Sequence, residues 1–220
     1  MSTQNLQNPL IFNAERRPCP TVTDVSDSFL KKAAKETVVA IDIETSGLDW
    51  RSQRIGLCQV AIPNGEVALL KAKKNARPEK FVALLGDASI QKIFHHAMFD
   101  LRFLTYHWTA KPANIACTKI ASKLIDPEQI DGHSLDCLLR RYLNVIIDKA
   151  ERQSDWLTWD LSESQLAYAS SDVIYLPKLL ESLTAELQKK ARWDLALRCF
   201  AHIPTRVELE IQGFRDVYNY

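Results

Sequence analysis

The run Val38-Val39-Ala40-Ile41-Asp42-Ile43-Glu44 constrains the fold more than any other stretch of the chain. Nothing in it is polar before Asp42, the pattern of a strand covered on both faces. Side chains alternate along a strand, so Asp42 and Glu44 point to the same side. Two ionised carboxylates at the end of a buried strand repel each other and lose hydration. No Lys or Arg within the strand neutralises them. A divalent cation would, and an all-oxygen ligand set suits Mg²⁺ or Mn²⁺. An isolated D-x-E also fits a strand end whose acids simply face water. The choice depends on whether further carboxylates arrive from elsewhere.

A chain of 220 residues with 46% hydrophobic content supports one well-buried domain and is short for two. Its formal charge of +1 excludes a histone-like basic binder, so any nucleic-acid contact must come from a local patch. No apolar run reaches membrane-spanning length, and the N-terminus lacks the basic-then-apolar pattern of a signal peptide. The five cysteines (Cys19, Cys58, Cys117, Cys137, Cys199) are scattered and never in C-x-x-C spacing. Reduced thiols in a cytoplasmic protein fit this pattern, and a structural zinc site does not.

Taken in order, residues 1–24 read as an irregular lead-in, 25–190 as the main domain and 191–220 as a helical tail. Residues 25–36 read as an amphipathic helix leading to the first strand. A loop over 48–53 precedes strands at 54–62 and 66–70, joined at the turn signal Pro63-Asn64-Gly65. The basic cluster Lys71, Lys73, Lys74, Arg77 and Lys80 fits a solvated loop and helix start, or a phosphate-binding patch. Helices are expected over 78–86, 97–107, 115–125 and 134–143, with a short strand over 90–95. Ser162 and Gln165 form a capping box for a helix running through Asp172 and bending or restarting near Pro177. Strands first as a meander, then helix and strand in alternation, argue an α/β layered domain.

Asp100 falls in the helix after the 90–95 strand and alone is an ordinary helix acid. Tyr168 and Asp172 are four apart on the capped helix and so share one face, as a surface Tyr–Asp pair also would. Taken together, D-x-E, then D, then Y-x-x-x-D resembles the DEDD exonuclease superfamily and its tyrosine subgroup. The histidine subgroup carries His five residues before the last Asp, where this chain has Ala167. Thr45, Gly47 and Leu48 after Glu44, with Asp148-Lys149 and Ser154-Asp155-Trp156, are similar to the ribonuclease D family. Residues 117–124 and the short tail resemble its compact, nanoRNase C-like members, and the chain length leaves no room for the C-terminal domains of full ribonuclease D.

The resemblance implies a ribonuclease H-like fold, a mixed five-stranded sheet flanked by helices. It implies 3′-5′ exonuclease activity on RNA or DNA 3′ ends, short oligoribonucleotides above all, with release of 5′-nucleoside monophosphates. Two Mg²⁺ or Mn²⁺ ions would be held by Asp42, Glu44, Asp100 and Asp172, with Asp42 bridging and Tyr168 orienting the attacking water. Thr45 and Leu48 are candidates for the terminal sugar and base, and Lys149 and Arg152 for balancing phosphate charge. His95 and His96 would contact phosphate or cap the strand end. Trp156 and Trp159 are expected as core anchors rather than base-stacking platforms. A homo-oligomer, an octameric ring, is implied, with tail residues Leu195, Leu197, Phe200, Ile203, Leu209, Ile211 and Phe214 in the subunit contact. The alternatives are a non-catalytic nucleic-acid-binding module and a proofreading subunit.

Overall fold

In the computed structural model the described residues are Leu10–Ile11 and 20–220, apart from positions 64, 215, 218 and 220. Most of the expected lead-in, with Cys19, and the centre of the Pro63-Asn64-Gly65 turn therefore lie outside the described residues. Leu10–Ile11 forms β1, which pairs in parallel with β7 (Val145–Ile146), so the lead-in contains a short strand. The helix α1 (Asp27–Glu36) is capped by Ser26, whose hydroxyl accepts from Phe29 N–H at 3.1 Å. It ends at Thr37 in the left-handed region, φ 57°, which turns the chain straight into β2 (Val38–Thr45).

The main sheet has the order β4-β3-β2-β5-β6. Strand β3 (Ile55–Ala61) is antiparallel to β2 and to β4 (Val67–Lys71), the expected meander. Strands β5 (Gln91–Phe94) and β6 (Ile115–Cys117) continue it in parallel, reached through α2 (Glu79–Gly86) and α3 (Ala97–Trp108). Strand β2 is thus central, which is why its first residues are apolar on both faces. The expected helix over 115–125 divides: Ile115–Cys117 is the edge strand β6, and α4 (Thr118–Ile125) starts only afterwards. An apolar run of three cannot be told from a helix start by periodicity, and its pairing with β5 decides.

Helices α5 (Leu135–Leu143), α6 (Glu163–Ile174), α7 (Leu176–Lys189) and α8 (Trp193–Ile211) complete the domain. The capping box of α6 forms both bonds, Gln165 N–H to Ser162 Oγ at 3.1 Å and Ser162 N–H to Gln165 Oε1 at 2.9 Å. The restart near Pro177 falls at Tyr175, which closes α6 after Ile174 and opens α7 at Leu176. In the tail, Phe200 and Ile203 are buried in the domain's own core, whereas Leu195, Leu197 and Phe214 are exposed.

Cross-strand partners share a face, so Asp42 lies beside Gln59, and Glu44 beside Leu57, which in turn lies beside Lys71. On this face Leu57, Leu69, Trp156 and Ala169 form a separate apolar cluster, and α6 lies across β2, β3 and β4. Lys71 is not part of a solvated loop. It ends β4, is 3% exposed, and its Nζ donates to the backbone oxygen of Trp156 at 2.6 Å. Burial pushes its pKa down, and this hydrogen bond occupies the ammonium.

Gly56 makes the same seam possible. A Cβ there would stand 2.3 Å from the Trp156 oxygen and 2.7 Å from its carbonyl carbon, both rigid backbone atoms. Gly56→Ala is therefore expected to destabilise the fold by about 2 kcal/mol or more through overpacking. Urea unfolding checks this, and an unchanged midpoint would show that the loop does not need this close approach.

Candidate active site

Three elements bring the acids together. Asp42 and Glu44 come from the end of β2, Asp100 from the first turn of α3, and Asp172 from α6. Because β5 runs parallel to β2, the chain leaves β5 at the acid-bearing end of the sheet and delivers α3 there. Carboxylate oxygens of Asp42, Glu44 and Asp172 lie within 4.8 Å of one another. Gln59 Nε2 donates to Asp42 Oδ2 at 2.7 Å and orients that carboxylate. Asp100 is 1% exposed, and its Oδ2 has no hydrogen-bond partner.

Such crowding opposes ionisation. Burial, then Asp100, Glu44 and Asp172, push the Asp42 carboxyl well above its ordinary range. Burial and the charges of Asp172 and Asp100 do the same to Glu44, against a hydrogen bond from Gln59. Burial raises Asp100 to about 8, despite backbone hydrogen bonds at its own N–H and at Ile43. Burial raises Asp172 to about 7, with its Tyr168 hydrogen bond and Lys149 pulling the other way. An uncompensated oxygen on Asp100 and three converging carboxylates are what a hard divalent cation replaces water with, so this donor set fits Mg²⁺ or Mn²⁺. Asp42, Glu44 and Asp172 form the cluster, and Asp100 supplies the unsatisfied oxygen beside it.

The acids line a cavity of about 790 Å³ that also takes in Thr45, Leu48, His95, His96, Lys149, Arg152 and Tyr168. All eleven residues expected at the site therefore surround one space. Thr45 Oγ1 donates to Gly47 O at 2.6 Å and tightens the turn after β2. Leu48 on the rim is 83% exposed. Burial and Lys119 push His95 to about 3 and His96 to about 4, so both imidazoles are neutral at pH 7. Neither offers phosphate a positive charge. His95 Nδ1 is 2.9 Å from Thr118 Oγ1, and the His96 ring stacks on Phe99. Lys149 Nζ is 2.6 Å from Asp136 Oδ1, while Arg152 is exposed at the edge. Burial and the nearby acids, Asp172 first, raise the Tyr168 pKa far above pH 7, so the phenol stays protonated.

Sequence reading missed Gln59, Asp136 and Lys119. Gln59 had a signal, as a lone polar residue inside the apolar strand Ile55–Ala61 at the position paired with Asp42. Asp136 and Lys119 had none, since exposed charges at helix starts are common. Trp156 is the core anchor expected, but Trp159 is not: it is 57% exposed.

A mixed five-stranded sheet with acids gathered at one end of its central strand defines the ribonuclease H-like class of nuclease folds. Within that class the chain belongs to the 3′-5′ exonuclease family, whose sequence profile matches residues 20–188. Ribonuclease D of Haemophilus influenzae is 32% identical over 167 residues, 76% of this chain and 41% of that protein. The Cronobacter turicensis ribonuclease D is 28% identical over 90% of this chain and 54% of its own. The chain thus spans about half the length of these curated relatives. Among solved structures, Brucella melitensis NrnC superposes with a TM-score of 0.83 at 34% identity, covering 90% of this chain and 96% of that one. Escherichia coli RNase D shares the fold, with a TM-score of 0.75, 23% identity and coverage of 86% and 51%.

Carboxyls held above their ordinary range favour folding when protonated, and that contribution is lost as pH rises through the folded values. For Asp172 and Asp100 the loss begins in the ordinary carboxyl range and is easiest to follow in the window from pH 6.5 to 9, where it outweighs the opposite, smaller contribution of His95 and His96, whose unfolded imidazoles still shed protons near pH 6.5. The metal-free protein should lose on the order of 2 kcal/mol of stability across it. Millimolar Mg²⁺ should remove most of that loss. Thermal unfolding in EDTA and in Mg²⁺ decides, and a flat metal-free profile would contradict the crowding.

Proposed function

We propose that the chain is a 3′-5′ exonuclease that hydrolyses the terminal phosphodiester of short RNA and releases 5′-nucleoside monophosphates. The observation that carries this reading is that Asp42, Glu44 and Asp172 cluster and Asp100 lines the same cavity with an unsatisfied oxygen, so that β2, α3 and α6 bring four carboxylates to one space. A non-catalytic binding module would have no need to keep all four. Two divalent cations at Asp42, Glu44, Asp100 and Asp172 would supply an activated water and neutralise charge on the leaving 3′ oxygen. Asp42, whose carboxylate Gln59 holds in orientation, would be one of the residues that hold these cations. Tyr168, protonated and hydrogen-bonded to Asp172, is a donor that positions water rather than a base.

The rim divides the substrate. Leu48, exposed beside the turn that Thr45 tightens, offers an apolar surface to a terminal base, and such a contact tolerates every base. Lys149 and Arg152 balance the phosphates, with Asp136 holding the Lys149 ammonium in place. The Brucella relative is described bound to pGG and with bound Mg²⁺, which supports a dinucleotide-sized RNA and magnesium as the ion here. DNA ends fit the same acids. Among the described residues no helix is long and apolar enough to cross a membrane, and the four described cysteines are free thiols, in keeping with a cytoplasmic setting.

We also propose that residues 25–190 carry catalysis and that the tail joins subunits of an octameric ring. Its exposed Leu195, Leu197 and Phe214 support that contact. Light scattering reads the mass directly, and a monomer at micromolar concentration would refute the ring. For catalysis, the test is product against time on 5′-labelled RNA and DNA, from two nucleotides upward, in Mg²⁺ or Mn²⁺. Asp42→Asn should lower turnover by several orders of magnitude while the protein stays folded. Tyr168→Phe should lower kcat by roughly 10²–10⁴ with metal affinity kept. Near-normal cleavage by folded Asp42→Asn would sink the assignment, and an equal loss of metal affinity in Tyr168→Phe would make the tyrosine a support for the ligands.

A further inference from the structure

Trp159 is the most exposed aromatic ring among the described residues whose exposure is high. The loop that carries it is fixed at both sides. Lys71 holds the Trp156 oxygen, Trp156 and Leu161 pack into the cluster under α6, and Gln165 Nε2 donates to Asp155 O at 3.2 Å. An anchored loop therefore presents a large flat ring to solvent. Lys73 Nζ stands 5.5 Å from the centre of that ring, and Lys74 beside it is exposed.

The position follows from the sheet register. Glu44, Leu57 and Lys71 occupy one row across β2, β3 and β4. Two strand spacings put the Lys71 backbone about 10 Å from that of Glu44. Ala72 N–H donates to Gly56 O at 3.1 Å, so the chain continues beside Ile55 and Arg54, at the acid-bearing end of the sheet. Arg54 is exposed between the two, and its carbonyl accepts from Ser46 N–H at 3.0 Å. Among the described residues, none of Arg54, Lys73 and Lys74 forms an ion pair.

We propose that Trp159, with Lys73, Lys74 and Arg54, is a stacking platform for a single-stranded nucleic acid upstream of the 3′ end held at the acids. The inference rests on the exonuclease reading above and adds to it a second contact outside the acidic cavity. An aromatic face takes any base, and cations around it that have no carboxylate partner take the phosphates, the combination that holds single strands without sequence preference. Trp159 does not line the acidic cavity, so a dinucleotide seated there leaves the ring uncovered and only a longer strand extends towards it. Longer strands therefore gain affinity that dinucleotides do not.

The test uses the full chain and its Trp159→Ala, Trp159→Phe and paired Lys73→Gln, Lys74→Gln variants. A 5′-fluorescein heptaribonucleotide is titrated by anisotropy in Ca²⁺, and dinucleotide hydrolysis is followed in Mg²⁺. Trp159→Ala should weaken heptanucleotide binding about 10-fold, with Trp159→Phe recovering most of it. The paired lysine variant should reduce the slope of log affinity against log salt by about 1.4. Heptanucleotide affinity unchanged in Trp159→Ala, while dinucleotides are still hydrolysed, would overturn the platform and leave the catalytic reading standing. The same unchanged affinity with a fall in particle mass by light scattering would overturn it too and give the ring to a subunit contact. Weakened binding in a protein whose wild type hydrolyses no RNA would uphold the platform and overturn the catalytic reading instead.

Discussion

Mutual repulsion among four carboxylates at the end of one covered strand is the constraint on which the rest of the structure depends. At the end of a strand central in its sheet, Asp42 and Glu44 are only partly open to the cavity, which leaves little solvent to dilute that repulsion. The fold answers it with neighbours of limited power: an amide from Gln59 on Asp42, a phenol from Tyr168 on Asp172, and the start of α3 behind Asp100. None of these three carries a full positive charge, and Lys149, the one cation that acts on Asp172, is itself paired with Asp136. The one lysine that shares the row of Glu44, Lys71, is committed to the backbone oxygen of Trp156. A positive charge supplied from outside is what remains, and oxygen ligands of this kind select a hard divalent ion.

The loop over 148–161 is the second device on which the site depends. Its backbone lies directly on β3 because Gly56 has no side chain, and it is tied to β4 by Lys71 and to α6 by Gln165. In consequence Arg152 and Asp155 stand at the cavity, with Tyr168 packed beside Trp156 at a ring separation of 5.9 Å. The acids thus stand on rigid elements and the facing cavity residues on a pinned loop, an arrangement common in sites built on a rigid scaffold.

The central strand, the meander, the capping box and the acid constellation were all legible in the sequence, because each has a local pattern: an apolar run, a turn signal, an S-x-x-Q, a spacing of four. What was not legible depends on pairing at a distance. Ile115–Cys117 becomes a strand only because β5 offers an edge. Lys71, read as part of a solvated cluster, is buried because a carbonyl 85 residues later comes down on it. Trp159, read as a core anchor from its apolar area, stays outside because Trp156 already fills the cluster. Tryptophan in a sequence states how much surface there is to bury and not which of two neighbours buries it.

The central claim, that the acids are held together for cations, has one direct measurement. Protons held on the crowded carboxyls at pH 7 must leave when a cation takes their place. Calorimetric titration of Mn²⁺ into the metal-free protein, repeated in buffers of different ionisation enthalpy, counts them. The account predicts release of about one proton or more per site at pH 7, with binding much weakened in Asp42→Asn. Binding without proton release, or binding indifferent to Asp42→Asn, would contradict it.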